Sequence, residues 1–395
     1  MGVNWALLPP DLESLIGQNL AGRYLVEDVL GVGGMGAVFR GRHLLLERDV
    51  AIKVLKPEYA NHPEVSARFD REARSASMFD HPNCVQVVDF GSTETGLKFM
   101  VMQLLEGYGL ASFLGRRFPV SQAVEMSLEI LYGLEHAHSR GVIHRDLKPE
   151  NVFVTRDHTG AVILKLVDFG IAKLVSGRPD GIVTQIGTVF GTPQYMSPEQ
   201  AAGEDIDERA DLYSVGVILF QLITGELPFD DPDTRELMRK QMVAHPPALP
   251  PYVPVVLATV MGKLLAKRRD LRYGSATDAI AALSSLRRNL PPDRIPRVPL
   301  LGPDPATAAA APRGYDRRGR AAGVPAAPQA PESNPEQMKQ VDQALQQVLT
   351  NQTPFAMEAL RDGIQDTPGN RRSWNIDMDN LQLEDLEGSK FNDDQ

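Results

Sequence analysis

Between residues 20 and 105 apolar residues fall into short runs rich in β-formers: RYLVEDVL, AVFRGRH, DVAIKVL, VQVVDF and KFMVMQLL. Runs of this length, bounded by Gly, Pro, Asn and Asp, predict strands. One segment breaks the series. From roughly Pro63 to Phe79 the positions Val65, Phe69, Glu72, Ala76 and Phe79 recur at helical spacing, which puts the carboxylate of Glu72 on an inward stripe. From 110 to 290 the pattern turns mainly helical, apart from a short β-like patch around NVFVT and VILKLVDF. This order predicts an α+β fold, a small antiparallel β lobe over about 20–105 followed by a larger, mainly helical lobe over about 106–288. The longest apolar stretch, YSVGVILFQLITG (213–225), is too short to span a bilayer and contains Gln221, so it reads as a buried helix.

Beyond about residue 289 the text becomes Pro/Ala-rich up to 335 and holds one aromatic, Tyr315, too little to build a core. The composition predicts a disordered or semi-extended linker. Past it, Met338, Val341, Leu345 and Val348 mark one stripe of a short helix over about 337–349, and the end interleaves acids with single apolar residues as a flexible acidic tail. Residues 1–19 form an N-terminal extension without a cationic-then-apolar leader; Ala6 stands where a myristoylation motif wants Ser or Thr.

The chain has 395 residues, a net charge of −10 and 43% hydrophobic residues, enough for a large core and against a nucleic-acid surface as the main activity. Its single cysteine, Cys84, excludes an internal disulfide framework and fits a reducing, cytoplasmic setting. His136, His138 and His144 lie close in sequence, but no Cys or acidic cluster completes a metal site around them.

The glycine cluster GVGGMG (31–36) changes the picture. Gly31, Gly33 and Gly36 match G-x-G-x-x-G, with Gly34 as a fourth glycine. A dinucleotide fingerprint needs a helix to start at the last glycine, so that the pyrophosphate meets its N-terminus. Here AVFR, Gly41 and DVAIKVL come next, which is strand, turn, strand. The loop therefore reads as a hairpin tip lying over phosphates. In the next strand Lys53 stands among Val50, Ile52, Val54 and Leu55, where an ammonium needs an anion; Glu72 is the candidate.

HRDLKPEN (144–151) is the most specific signal. With the glycine loop, AIK (51–53), DFG (168–170) and SPE (197–199) it stands in the order of a protein kinase. Over about residues 20–288 the chain resembles the bacterial eukaryotic-like (Hanks-type) serine/threonine protein kinases, carried also by HPNCVQVVDFG, VDFGIAK, GTPQYMSPEQ and DLYSVGVILFQLITGELPF.

The resemblance implies a bilobal kinase fold and transfer of the γ-phosphate of ATP to Ser/Thr hydroxyls of proteins, with magnesium, or alternatively manganese. Backbone amides of Gly31–Gly36 would cover the phosphates, Lys53 would hold them and Glu72 would direct Lys53. Asp146 would orient the substrate hydroxyl and take its proton, and Lys148 would reach the γ-phosphate, with Thr192 beside them. Asn151 and Asp168 would bind the metal. Leu30, Val38, Ala51, Phe153 and the gatekeeper Met102 would enclose the adenine, whose edge the hinge Gln103–Leu105 reads; Gln103 replaces a more usual Glu. Glu199 and Arg272 imply a buried ion pair, and Asp211 an anchor for the catalytic loop. Arg145, preceding Asp146, implies switching by activation-loop phosphorylation, with Thr188 the first candidate and Thr184 the second.

An alternative remains open, a pseudokinase or ATP-binding interaction scaffold, although Lys53, Glu72, Asp146, Lys148, Asn151 and Asp168 are all present. Residues 291–395 are expected to be dispensable for catalysis and to serve recruitment, self-association or restraint, their partner being another copy, a substrate or the kinase domain.

Overall fold

The structure, a computed structural model, describes residues 8–60, 62–169, 192–290, 293 and 297–301. All belong to one compact unit, Met1–Ala308. The chain opens with a single helical turn, α1 (Pro10–Glu13), and then builds a curled antiparallel sheet from β1 (Asn19–Leu20), β2 (Tyr24–Val32), β3 (Gly36–His43) and β4 (Arg48–Leu55). After α2 (Pro57–Ala60) and α3 (Pro63–Ala76), strands β5 (Val87–Ser92) and β6 (Lys98–Gln103) complete the sheet in the order β1-β2-β3-β4-β6-β5. The strong β-formers explain the strands. The side of β4 and β6 away from α3 buries Val26, Phe39, Ile52, Val54, Phe99 and Val101 together with Leu8, Leu12 and Leu15, so residues 8–15 are part of this core.

The second lobe starts with the short β7 (Tyr108–Gly109) and the long α4 (Val120–His138). β7 pairs with β8 (Val152–Arg156), and β8 with β9 (Val162–Leu166), in an antiparallel three-stranded sheet beneath the first. Helices α5 (Pro198–Ala202), α6 (Arg209–Thr224), α7 (Thr234–Val243), α8 (Val255–Leu264) and α9 (Ala276–Arg287) come after it. The apolar stretch 213–225 forms most of α6, which is buried on nearly all sides and ends at Gly225 in the left-handed conformation. Among the described residues no helix is long and apolar enough to cross a membrane.

A shared core joins the lobes. Phe69, Ala73 and Phe79 around α3 lie in one cluster with Leu134, Leu147, Leu166 and Phe169, and the 83–85 segment pairs with β9 through Leu166 N donating to Asn83 O (2.8 Å) and Val85 N to Leu166 O (2.9 Å).

The chain beyond α9 stays on the helical lobe. Pro119 begins α4 without a side-chain cap, and Asp293 supplies one from a distance, accepting from Ser121 N (3.1 Å) and Ser121 Oγ. The amide of Gln122 clasps Val298 in both directions at 2.8 Å, Arg297 pairs with Glu125, and Val298, Leu300 and Leu301 pack on the core. Apolar residues set among prolines thus hold the start of the Pro/Ala-rich segment to α4. The rest of that segment, the helix expected over 337–349 and the acidic end lie outside the described residues. A chain ending after Leu290 should melt below one ending after Leu301, by roughly 1–2 kcal/mol for the lost cap and clasp. Equal melting temperatures would show that this strap adds no stability.

Candidate active site

The glycine cluster is a hairpin tip. Gly31 pairs with Val38 and Val32 with Ala37 across β2 and β3, and Gly33 N donates to Gly36 O at 2.8 Å. No helix starts there, so the loop lacks the element a dinucleotide fingerprint requires. A Cβ on Gly36 would meet Val54 O at 2.1 Å, whereas one on Gly31 or Gly34 would meet open space. The tip thus combines one position closed to side chains with backbone that a ligand can approach.

Register brings the remaining strand residues together. Lys53 on β4 lies opposite Val38 on β3 and Met100 on β6, Ala51 opposite Met102, and Val50 opposite Gln103. Ala51 and Met102 are buried, Val38 and Leu105 half-buried, Leu30 and Gln103 exposed. Thr155 Oγ1 donates to Glu106 O (2.7 Å), which fastens the segment after Gln103 to β8, where Phe153 is half-buried.

Two residues at the lobe junction have left-handed backbone without being glycine, Arg145 (φ 66°) and Asp168 (φ 59°). Such strain persists only where surroundings hold it. Phe169 packs its ring edge-on against Phe79 (4.7 Å between centroids) and tilted against His144 (4.8 Å), and His144 Nε2 bonds Val167 O at 3.0 Å. The carboxylate of Asp168 is thereby presented to Lys53, whose Nζ lies 2.7 Å from Oδ1. Burial works to raise the Asp168 pKa, but the Lys53 ammonium and, more weakly, His144 and Lys148 outweigh it and hold the carboxyl below its ordinary range. Glu72 sits in α3, and its side chain lies outside the described residues.

The catalytic-loop candidates form one hydrogen-bonded group. Lys148 Nζ donates to Asp146 Oδ2 (2.8 Å), as does Asn151 Nδ2 (3.1 Å), which also donates to Asp146 O (2.8 Å). Among the described residues Oδ1 of Asp146 is left for a further donor, and Oδ1 of Asn151 for a cation. Asp211, buried at the start of α6, accepts from His144 N and Arg145 N at 2.8 Å each and lies 2.8 Å from His138 Nε2. These partners keep its carboxyl low against the opposing effect of burial. Glu199 and Arg272 form a buried two-bond pair at 2.7 Å per bond. Thr192 is half-buried, its carbonyl accepting from Tyr195 N; Thr184 and Thr188 lie outside the described residues.

The residues fit a magnesium ion by the chemistry of their donors. Asp168 and Asn151 offer one carboxylate and one amide oxygen, a sparse set suited to a hard cation that keeps water and phosphate oxygens as its other ligands. Among the described residues no group of three or more His, Cys, Asp or Glu could hold a metal.

The protein kinase domain model matches residues 24–281. The chain belongs to the protein kinase family. This kinase-family chain is 44% identical over 241 residues to the serine/threonine-protein kinase pkn3 of Myxococcus xanthus, covering 60% of the chain and 44% of that protein. It is 37% identical over 312 residues to PknA of Mycobacterium tuberculosis, covering 77% of the chain and 70% of that protein. The crystal structure of the PknI kinase domain of M. tuberculosis matches with a TM-score of 0.54 and 28% identity over 69% of the chain and 98% of that domain. The chain spans 44%, 36% and 41% of three of its curated relatives, pkn3, Pkn1 of M. xanthus and PrkC of Bacillus subtilis.

Some supports of the kinase-family site carry little or no mark in the sequence. Gln200 Nε2 donates to Arg145 O (2.6 Å), tying α5 to the catalytic loop, while Ser197 and Gln200 cap α5 reciprocally. The spacing S-P-E-Q is a capping-box signature and could have marked Gln200. No local signal marks His138, because its partner Asp211 is 73 positions away.

Proposed function

We propose that this chain is an ATP-dependent protein-serine/threonine kinase. The observation that carries the reading is the Asp146–Lys148–Asn151 group, hydrogen-bonded around one carboxylate and near the Lys53–Asp168 pair. The relatives' names support the serine/threonine class.

In this reading Asn151 Oδ1 and the Asp168 carboxylate hold magnesium, which when bound neutralises phosphate charge. The Gly31–Gly36 amides and Lys53 bind the phosphates, and Glu72 directs Lys53. Leu30, Val38, Ala51, Met102, Leu105 and Phe153 surround the adenine, with Gln103 at its edge. Asp146 Oδ1 orients the acceptor hydroxyl and takes its proton as the oxygen–γ-phosphorus bond forms and the bond to the β-phosphate oxygen breaks, releasing ADP. Lys148, already held by Asp146, steadies the transferring group. Arg145 has a buried Nε without a partner among the described residues, which suits pairing with a phosphate on Thr188, or secondarily Thr184, placed there by autophosphorylation in a signalling role. Residues beyond 301 serve recruitment or self-association. Cys84 is buried, with a thiol pushed up to about 12 by that burial, an inert group suited to the cytoplasm.

The test is transfer of labelled phosphate from ATP to casein by the full chain, with and without magnesium, and mass spectrometry of residues 184–188. Magnesium-dependent transfer, with activity lowered in a Thr184→Ala/Thr188→Ala variant, is expected. ATP binding without transfer would favour the interaction-scaffold reading instead.

A further inference from the structure

A dense buried polar cluster lies behind residues 193–195, outside the site described above. Gln241 on α7 is fully buried, and its amide is spent on that segment: Nε2 donates to Pro193 O (3.1 Å) and Gln194 O (2.6 Å), while Oε1 accepts from Tyr213 Oη at 2.6 Å. Tyr213 Oη in turn accepts from Lys267 Nζ (2.9 Å), which also donates to Gln241 O (2.7 Å) and Lys240 O (3.3 Å). Lys267 has no carboxylate partner among the described residues and lies over the ring faces of Phe229 (3.8 Å) and Tyr213 (5.3 Å). A buried ammonium without a counter-ion is costly, and apolar packing would serve stability better.

The far end of the chain of bonds shows what the cluster serves. Residues 193–195 come directly after Thr192, and Ser214 Oγ holds Tyr195 O (2.8 Å) while Tyr195 Oη donates to Gln221 Oε1 (2.8 Å). The segment lies beside the catalytic loop: the Glu150 carboxylate is close enough to help burial push the Tyr195 hydroxyl pKa up, and Gln200, five residues on in α5, holds Arg145 O. An edge in this place is suited to meet the protein whose hydroxyl reaches Asp146.

We propose that Lys267, Tyr213 and Gln241 form a positioning relay that holds the Pro193–Tyr195 backbone as a docking edge for the acceptor protein. The proposal rests on the phosphotransferase reading above. The relay has a direction. An ammonium has three donors and no acceptor, so Lys267 in its charged form obliges Tyr213 to turn its one proton to Gln241 Oε1. That fixes the Gln241 amide with both hydrogens toward Pro193 and Gln194. A neutral amine has a lone pair, to which Tyr213 can turn its proton, and Gln241 Oε1 then loses its donor.

The switch between these states falls in an accessible range, because burial, reinforced by the Arg272 charge, pushes the Lys267 pKa down to about 7. Of the other groups facing Lys267, Tyr213 is shifted upward by burial, Arg272 forms the buried pair with Glu199, and the Lys240 ammonium is paired with Asp231 at 2.8 Å. The relay is thus engaged below about pH 7 and released as pH rises through it.

The experiment measures initial rates of the full chain against casein and against ATP from pH 6 to pH 8, for wild type, Lys267→Arg, Lys267→Met and Gln241→Leu. Hydrogen exchange of peptides covering 193–196 is measured in parallel, corrected for intrinsic rates. Wild type should show a casein KM rising about five- to tenfold with pH, the scale of one hydrogen bond, while kcat and the ATP KM change much less. Lys267→Arg keeps the charge and should hold a low, flat casein KM; Lys267→Met and Gln241→Leu should be high and flat, with faster exchange at 193–196. Wild-type casein KM in both of the latter variants, or the same pH rise in Lys267→Arg as in wild type, would overturn the relay. If Lys267→Met or Gln241→Leu fails to fold, the wild-type and Lys267→Arg series decides. Absence of transfer by wild type would overturn the phosphotransferase reading alone, since exchange at 193–196 still reads the relay.

Discussion

Asp168→Asn is expected to lower magnesium-dependent transfer by about 10²–10³-fold or more, the scale of a lost preorganised charge at the reacting centre, with little change in melting temperature. Asp168 has φ 59°, a conformation that Asn tolerates better than most residues, so the substitution removes charge without adding backbone strain. It also removes the anion that Lys53 meets at 2.7 Å and one of the two candidate magnesium ligands. Lys53→Met should reach a similar loss by taking away the proposed phosphate clamp while keeping the length of the side chain between β3 and β6. Steady-state kcat and KM for ATP, with melting temperature as a control on folding, check both. Near-wild-type transfer in the pair would remove Asp168 and Lys53 from the mechanism.

The second large effect concerns stability. The Arg272 side chain has 0% exposure and that of Glu199 has 3%; their guanidinium and carboxylate meet through two 2.7 Å bonds. Arg272 also donates to Ala266 O, Arg209 O and Lys267 O, so one side chain gathers the ends of α5, α6 and α8. Arg272→Met leaves a buried carboxylate without a counter-charge and should cost about 3–5 kcal/mol of unfolding free energy. Adding Glu199→Leu should restore part of this, because the stranded charge, rather than the lost attraction, accounts for most of the penalty. Urea unfolding monitored by circular dichroism measures both. A loss below about 1 kcal/mol in the single variant would mean that Glu199 finds water or another partner, as surface pairs do.

How much of this is written in the chain depends on the distance over which each feature is decided. The strands of the first lobe arise from local β-forming runs, and α3 from the spacing of Val65, Phe69 and Ala76; both belong to a residue and its near neighbours. GVGGMG reads as a hairpin tip rather than a helix start because strand-forming residues succeed Gly36, and the pairing of Gly31 with Val38 has that form. HRDLKPEN sets Asp146, Lys148 and Asn151 within five positions, so their mutual hydrogen bonds are nearly a local property.

Long-range choices are not legible in that way. Pairing with Lys53 is one: the described geometry joins Lys53 to Asp168, 115 positions away, through the left-handed turn that Phe169 anchors, whereas the side chain of Glu72, the partner that sequence spacing offers, lies outside the described residues. Asp293 and residues 297–301 have the composition of a linker; their few apolar residues and one carboxylate matter because they meet the start of α4, which has no cap of its own, and the Gln122 amide. The relay from Lys267 to Pro193 is the clearest case, since in sequence Lys267 is an ordinary lysine in LAKRRD. The chain by itself determined the strand runs of the first lobe, α3, the mainly helical character of the second lobe, the α+β class and the family, because periodicity and contiguous motifs are local. Only the tertiary structure decided which buried charges and amides face one another, because burial strips them of water and obliges each to bond whatever the fold brings near.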